Sequence, residues 1–218
     1  DLIRSHAGAL QVPTGQGGAL IVEVEQVATI SSEQALERVV EVLAKHGADL
    51  PSAQLILDRR QQEALDHLRH MVPDTLNRRG RRFADAAGGG KLSTDWSAPI
   101  DQLPDLFDWT EELLAGCGLD GLFMYGHIGD GHPHLNLLCP DHEVRHEAFG
   151  RLHRQLERVV AVGGVPVSEH GVGKLKRDLI RPYLPVGAQA AWTGLKHQLD
   201  PKGVLAPGNI FAPYRPKS

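Results

Sequence analysis

The sequence has only two cysteines, no long apolar run and no block of one charge sign. Cys117 and Cys139 cannot make a disulfide framework. They fit a reducing compartment, where a buried thiol acts as a small hydrophobe. No apolar stretch approaches the ~20 residues needed to cross a bilayer. The net charge of -4 is spread along the chain, which argues against a nucleic-acid surface and gives no reason to invoke a membrane. Asp1-Leu2-Ile3-Arg4 shows no signal-peptide pattern, so a cytoplasmic location is expected. The missing initiator Met reads as a cut fragment or a trimmed tag. There is no Gly-x-Gly-x-x-Gly after a strand and no Gly-x-x-x-x-Gly-Lys-Ser/Thr, so no self-contained nucleotide cofactor site is visible. No internal repeat or low-complexity segment occurs.

What is present suits one large domain or two small ones sharing a core: 218 residues, 41% hydrophobic and 23% charged. Residues 19–26 read as a strand. Ser31-Ser32-Glu33-Gln34 reads as a capping box, opening a helix with Leu36, Val39, Val40 and Leu43 on one stripe and Gly47 as its stop. Residues 53–57 read as a second short strand and 59–71 as a charged helix. Residues 73–100, with two prolines, four arginines around Gly80 and Gly88-Gly89-Gly90, read as a long irregular loop. A helix is expected at 101–115 with Leu103, Leu106, Phe107 and Leu114 inward. Strands at 122–127 and 134–138 are joined by Ile128-Gly129-Asp130-Gly131. Helices follow from Pro140-Asp141 to about 162 and over 186–199, with a short strand at Val165-Pro166-Val167 between them. Hairpins outnumber crossovers, which predicts an α+β fold with an antiparallel sheet and helices on one face.

The twelve histidines matter less by number than by their clustering between His127 and His170. In Gly126-His127-Ile128-Gly129-Asp130-Gly131-His132-Pro133-His134-Leu135-Asn136, His127 and His134 flank a turn between paired strands and can point into one space. Neutral imidazoles suit Zn²⁺ and its transition-series neighbours. The alternative is a hairpin whose histidines bond locally. In Ser168-Glu169-His170-Gly171-Val172-Gly173-Lys174, a carboxylate beside an imidazole offers a third ligand and a base if the backbone bends there. The alternative is a helix start capped by Ser168. Taken together, two histidines and a glutamate form a three-ligand set with an open position, the pattern of a catalytic metal.

These clusters, with Asp95-Trp96-Ser97-Ala98-Pro99 and the tail Asp200-Pro201-Lys202-Gly203-Val204-Leu205-Ala206-Pro207-Gly208-Asn209-Ile210-Phe211, resemble the C-terminal domain of FAD-linked oxidases of the vanillyl-alcohol-oxidase type. That group includes D-lactate dehydrogenase, the glycolate oxidase flavin subunit and D-2-hydroxyglutarate dehydrogenase. The resemblance spans nearly the whole chain in order. It implies ferredoxin-like antiparallel sheets in two subdomains, with residues 1–218 forming the substrate- and metal-binding domain. The N-terminal FAD domain is then expected outside this chain, which alone should be colourless and inactive. The implied reaction is oxidation of a small D-2-hydroxy acid to the 2-oxo acid, with hydride passing to FAD. The resemblance implies His127, His134 and Glu169 as ligands of a divalent metal, Zn foremost and Fe or Mn next. It implies His170 as the base, and Asn136 and Arg79 as substrate contacts, with Arg78 and Arg82 as rivals to Arg79. Asn209 would lie by the flavin. The other implied partners are an electron acceptor, through which the protein would sit peripheral to a membrane, and a second copy in a homodimer. This chain departs from the family pattern at His132 (Asn in relatives), Ser168 (Gly), Ser93 (Lys) and the tail at Ala206 and Asn209. Those departures put flavin contacts and turnover in question. Two rival readings stand beside it: a non-catalytic metal-binding or assembly domain, and a histidine-triad nucleotide hydrolase built on His132-x-His134-x-Asn136.

Overall fold

Ser31 opens the first helix as its spacing predicts. Its hydroxyl accepts from the Gln34 amide at 3.2 Å, and Gln34 Oε1 accepts from Ser31 N at 3.1 Å. Helix α1 runs Ser32–Lys45 and ends at Gly47, which takes the left-handed φ of 74°. The computed structural model describes residues 18–24, 29–174 and 176–210, the Ser52 side chain apart. Two compact units divide the chain, residues 1–74 and 75–218.

In the first unit, the strands expected at 19–26 and 53–57 are not formed within the described residues. Residues 18–24 and 53–57 make no strand pairing, and 25–28 lie outside the described set. Leu20, Ile21, Leu55 and Leu57 stand exposed. A β-rich segment is a strand only when a partner takes its amides. The second ferredoxin-like subdomain is therefore not found among the described residues.

The expected loop at 73–100 is also corrected. Helix α2 continues through Pro73 to span Arg59–Ala87, and Gly88–Ser93 forms strand β1. Gly88 and Gly90 take positive φ values of 69° and 134°, and Gly89 is in β1 because the strand lies so close to its neighbour there. A Cβ on Gly89 would stand 2.2 Å from the Cys139 carbonyl oxygen. Helix α3 (Leu103–Leu114) follows, then β2 (Gly121–His127), β3 (His132–Asp141) and α4 (His142–Ala161). Asp141 caps α4, accepting from Val144 N at 2.9 Å. Two further helices, α5 (Arg177–Ile180) and α6 (Val186–Leu199), precede the tail. Asp200 ties the turn after α6 by accepting from Val204 N and Leu205 N, each at 2.9 Å. No helix among the described residues is long and apolar enough to cross a membrane.

The sheet is antiparallel throughout, in the order β1-β3-β2. A single rung between Ser97, just past β1, and Val165, just past α4, marks a rudimentary fourth strand beside β1. That is the β-α-β-β-α-β plan of a ferredoxin-like unit, its last strand reduced to one pair. One face of β3 sends Leu135, Leu137 and Cys139 inward with Leu114, Cys117, Ala148 and Leu152. A second cluster packs Trp96, Leu103, Leu106, Leu156, Val159 and Ile180. Each fully buried large apolar side chain there contributes about 1.5–3 kcal/mol.

Both thiols are buried and free. Burial, with Cys117 and Asp141 nearby, pushes the Cys139 thiol up to about 11. Burial also raises that of Cys117. At pH 8 roughly one Cys139 in a thousand is then the reactive thiolate. Iodoacetamide should leave both cysteines unmodified in the folded protein and alkylate both in guanidinium chloride. Rapid native labelling of Cys139 would contradict this packing.

Candidate functional site

The other face of β3 carries the chemistry. Side chains alternate along a strand, so His132, His134 and Asn136 share the face opposite Leu135 and Leu137. The register sets His127 across from His132, Tyr125 from His134 and Phe123 from Asn136. The β2–β3 turn closes at Gly131, whose φ of 72° is left-handed. Gly131 N donates to Ile128 O at 3.1 Å, and Gly131 O accepts from Ala98 N at 3.0 Å.

Asp95 lies at the centre, its side chain fully buried. Trp96, anchored in the second core cluster, holds the backbone there. Oδ1 of Asp95 meets His132 Nε2 at 3.1 Å and accepts from Glu169 N at 3.2 Å. Oδ2 accepts from His170 N at 2.9 Å and lies 3.6 Å from Lys176 Nζ. The Asp95 carbonyl accepts from Ser168 N at 2.7 Å. Three successive amides of residues 168–170 thus fasten to one aspartate. Burial by itself would raise that carboxyl. The two amide bonds, the Lys176 charge and the His132 bond outweigh burial and hold it below the usual carboxylate range.

The chain bends at Glu169-His170, as the shared use of the two side chains requires. Glu169 Oε1 meets His134 Nε2 at 3.1 Å and His170 Nε2 at 3.0 Å. Glu169 Oε2 lies 3.8 Å from His132 Nδ1. The His170 ring stacks on His134 with centroids 4.5 Å apart. Burial, then the neighbouring His132 and His170, lowers the His134 pKa, and Glu169 and Asp95 only partly oppose this. The shift favours the neutral imidazole, the form in which a histidine can ligate a metal. His127, His132, His134 and Glu169 each offer a donor atom within 4.8 Å of the others; Asp95, His134 and His170 form a second such group. Two ligands on a tetrahedral first-row ion stand roughly 3.4 Å apart, so small side-chain adjustments separate this arrangement from a coordination shell.

The structure thus brings together His127, His134, Glu169 and His170. Asn136 lies on the same face, fully buried, its Nδ2 donating to His134 O at 3.1 Å and its Oδ1 without a partner. Arg79 is placed differently. Its Nη2 bonds Asp120 Oδ2 at 2.5 Å, and its guanidinium lies 6.0 Å from the Phe123 ring centroid, on the Asn136 row. Arg79 is half-buried; Arg78 and Arg82 are exposed. Asn209 is exposed and bonds Ala206 O at 3.1 Å, while its neighbour Ile210 bonds Gly173 O. That seats the tail against the loop after His170, outside the histidine group. Sequence reasoning missed Asp95 and Lys176 as members of the site and put His132 only in the nucleotide-hydrolase rival. The alternation His132-x-His134 already carried the signal for His132. Nothing local in the sequence pairs Asp95 with residues seventy-four and seventy-five positions later.

A ferredoxin-like unit that gathers imidazoles and two carboxylates, Asp95 and Glu169, beside one face of its sheet is an α+β domain with a candidate site built from side chains. The chain belongs to the family of FAD linked oxidases, C-terminal domain, whose model matches residues 1–210. It is 38% identical over 92 residues to D-2-hydroxyglutarate dehydrogenase of Stutzerimonas stutzeri, covering 40% of this chain and 20% of that protein. It is 32% identical over 123 residues to a probable mitochondrial D-lactate dehydrogenase of Danio rerio, covering 55% of this chain and 24% of that protein. It is 33% identical over 158 residues to mitochondrial D-2-hydroxyglutarate dehydrogenase of Bos taurus, covering 69% of this chain and 26% of that protein. The chain therefore spans about a quarter or less of the length of these relatives.

Proposed function

We propose that this chain is the substrate-side domain of a flavin-dependent dehydrogenase that oxidises a D-2-hydroxy acid to its 2-oxo acid, assisted by a divalent metal. The carrying observation is the convergence of His127, His134 and Glu169, beside His170, in a chain of this family. The donor set fits such an ion. It offers a lowered-pKa imidazole, an anionic carboxylate and spacings near those of a coordination shell, with nitrogen and oxygen donors that suit Zn and then Fe or Mn. When bound, the ion supplies Lewis acidity at the hydroxyl oxygen, and FAD, held by a further domain, supplies the two-electron acceptor.

The chain's own residues do the rest. His170, half exposed and stacked on His134, takes the hydroxyl proton. Arg79 binds the substrate carboxylate through its two-pronged guanidinium, giving up Asp120 to do so. Asn136 offers its unpaired Oδ1 on the adjoining row. The hold of Asp120 on Arg79 favours a second reading, a metal-holding domain without turnover.

Elemental analysis of the protein purified without chelator should find about one Zn, Fe or Mn per chain, absent from His134→Ala. The full-length flavoprotein that contains this domain should bleach anaerobically with a D-2-hydroxy acid, D-lactate or D-2-hydroxyglutarate, and not with the L form. Metal without bleaching selects the second reading, and no metal after reloading removes both.

A further inference from the structure

We propose that His132 is a fourth protein donor to the cation of this site, binding through Nδ1 and aimed by Asp95. The inference rests on the metal reading above and adds a ligand to it.

The Asp95 carboxyl is fully buried and faces two amide N–H groups and the Lys176 ammonium. It is an anion that only accepts. The His132 nitrogen beside it, Nε2 at 3.1 Å, therefore carries a hydrogen and donates. In a neutral imidazole the other nitrogen then holds a lone pair. That nitrogen, Nδ1, faces Glu169 Oε2 at 3.8 Å, and a carboxylate oxygen is likewise an acceptor. Two acceptors thus look at each other across a gap from which the His132 ring, 4% exposed, is nearly shielded. At 3.8 Å the two are not hydrogen-bonded. A cation between them would engage both lone pairs. His127, directly across the ladder, and His134, two residues along the same face, bring their donor atoms to the same place.

Asp95 and His132 then form a carboxylate–imidazole pair of the kind that fixes the tautomer and aim of a ligating histidine. Asp95 is the positioning residue and His132 the donor. Four protein donors would surround the ion before substrate arrives, not three.

The test uses the full chain reloaded with Co²⁺, whose visible bands are intense in a four-coordinate site and weak at higher coordination, together with X-ray absorption of the Zn²⁺ form to count imidazoles. Three imidazoles and intense cobalt bands are expected in the unaltered protein. His132→Asn should leave two imidazoles and weak bands, and His170→Ala should keep three. Asp95→Asn should weaken Co²⁺ binding about 10–100-fold, measured by competition with a chromogenic chelator. Two imidazoles in the unaltered protein overturn the proposal without needing any variant to fold. So does a His132→Asn protein with unchanged bands and affinity. If the unaltered protein takes up no Co²⁺ or Zn²⁺, the metal reading itself fails, an outcome distinct from a site that binds metal without His132.

Discussion

Asp95→Ala should cost about 3–5 kcal/mol of stability and weaken the proposed metal binding at least as much as Asp95→Asn in whatever folded protein remains. The magnitude follows from removing one member of a buried charged network and leaving the others unmatched. Lys176 would keep a charge with no counter-ion beside it. The amides of Glu169 and His170 would lose their acceptor, and His132 would lose its orienting bond. The effect should depend on pH with a definite sign. The Asp95 carboxyl is held below the usual carboxylate range. Its stabilising contribution is therefore present above the unfolded value, roughly pH 3.9, and is lost as the pH falls through the folded one. Urea unfolding at pH 7 should separate the variant widely from the unaltered protein, and the gap should narrow as the pH is taken below about 4. Equal stability at pH 7 would show that the amides of Glu169 and His170 do not depend on this side chain.

Gly131→Ala should destabilise by about 3 kcal/mol and also disconnect His127 from His132. A left-handed φ of 72° costs an L-residue roughly 1–2 kcal/mol. The added Cβ would lie 2.0 Å from the Ala98 carbonyl oxygen, a backbone atom with no flexible end to swing away. Overpacking of that kind adds about 1–3 kcal/mol. Relief would come by shifting the turn, and the turn sets the His127–His132 pairing. Thermal unfolding and metal content together check this. A variant with an unchanged midpoint and full metal content would refute it.

The parts of this structure that rest on local chemistry were legible in the sequence. The Ser31–Gln34 box, the Gly47 stop, the Asp141 cap of α4 and the glycine-closed hairpin between β2 and β3 all form where their residue types predict. The convergence of His127, His134, Glu169 and His170 was also within reach, because strand alternation and a bend after Glu169 suffice to aim them. What sequence alone misread was decided by tertiary contact. Gly88-Gly89-Gly90 looks like a loop by composition, yet it opens β1, where the missing side chain of Gly89 lets the strand close on the Cys139 carbonyl. Pro73 removes one rung of α2 without ending it. Residues 53–57 have strand composition and no strand partner among the described residues. Asp95, the buried centre of the site, reads locally as one more acidic residue before a tryptophan. Its role exists only because β1, the head of β3 and the 168–170 segment meet around it.

The single rung between Ser97 and Val165 has a mechanical corollary. His127, His132 and His134 ride on a ladder paired over many residues. Glu169 and His170 are held by that one rung, the bonds to Asp95 and the packing of the flanking Val167 and Val172 on the core. The strand-borne histidines and the Glu169–His170 half of the cluster thus belong to regions of different local stability. A small opening past Val165 would draw the carboxylate away from the imidazoles while the sheet stays intact. A ligand gripping both halves acts as the latch that the vestigial fourth strand does not provide.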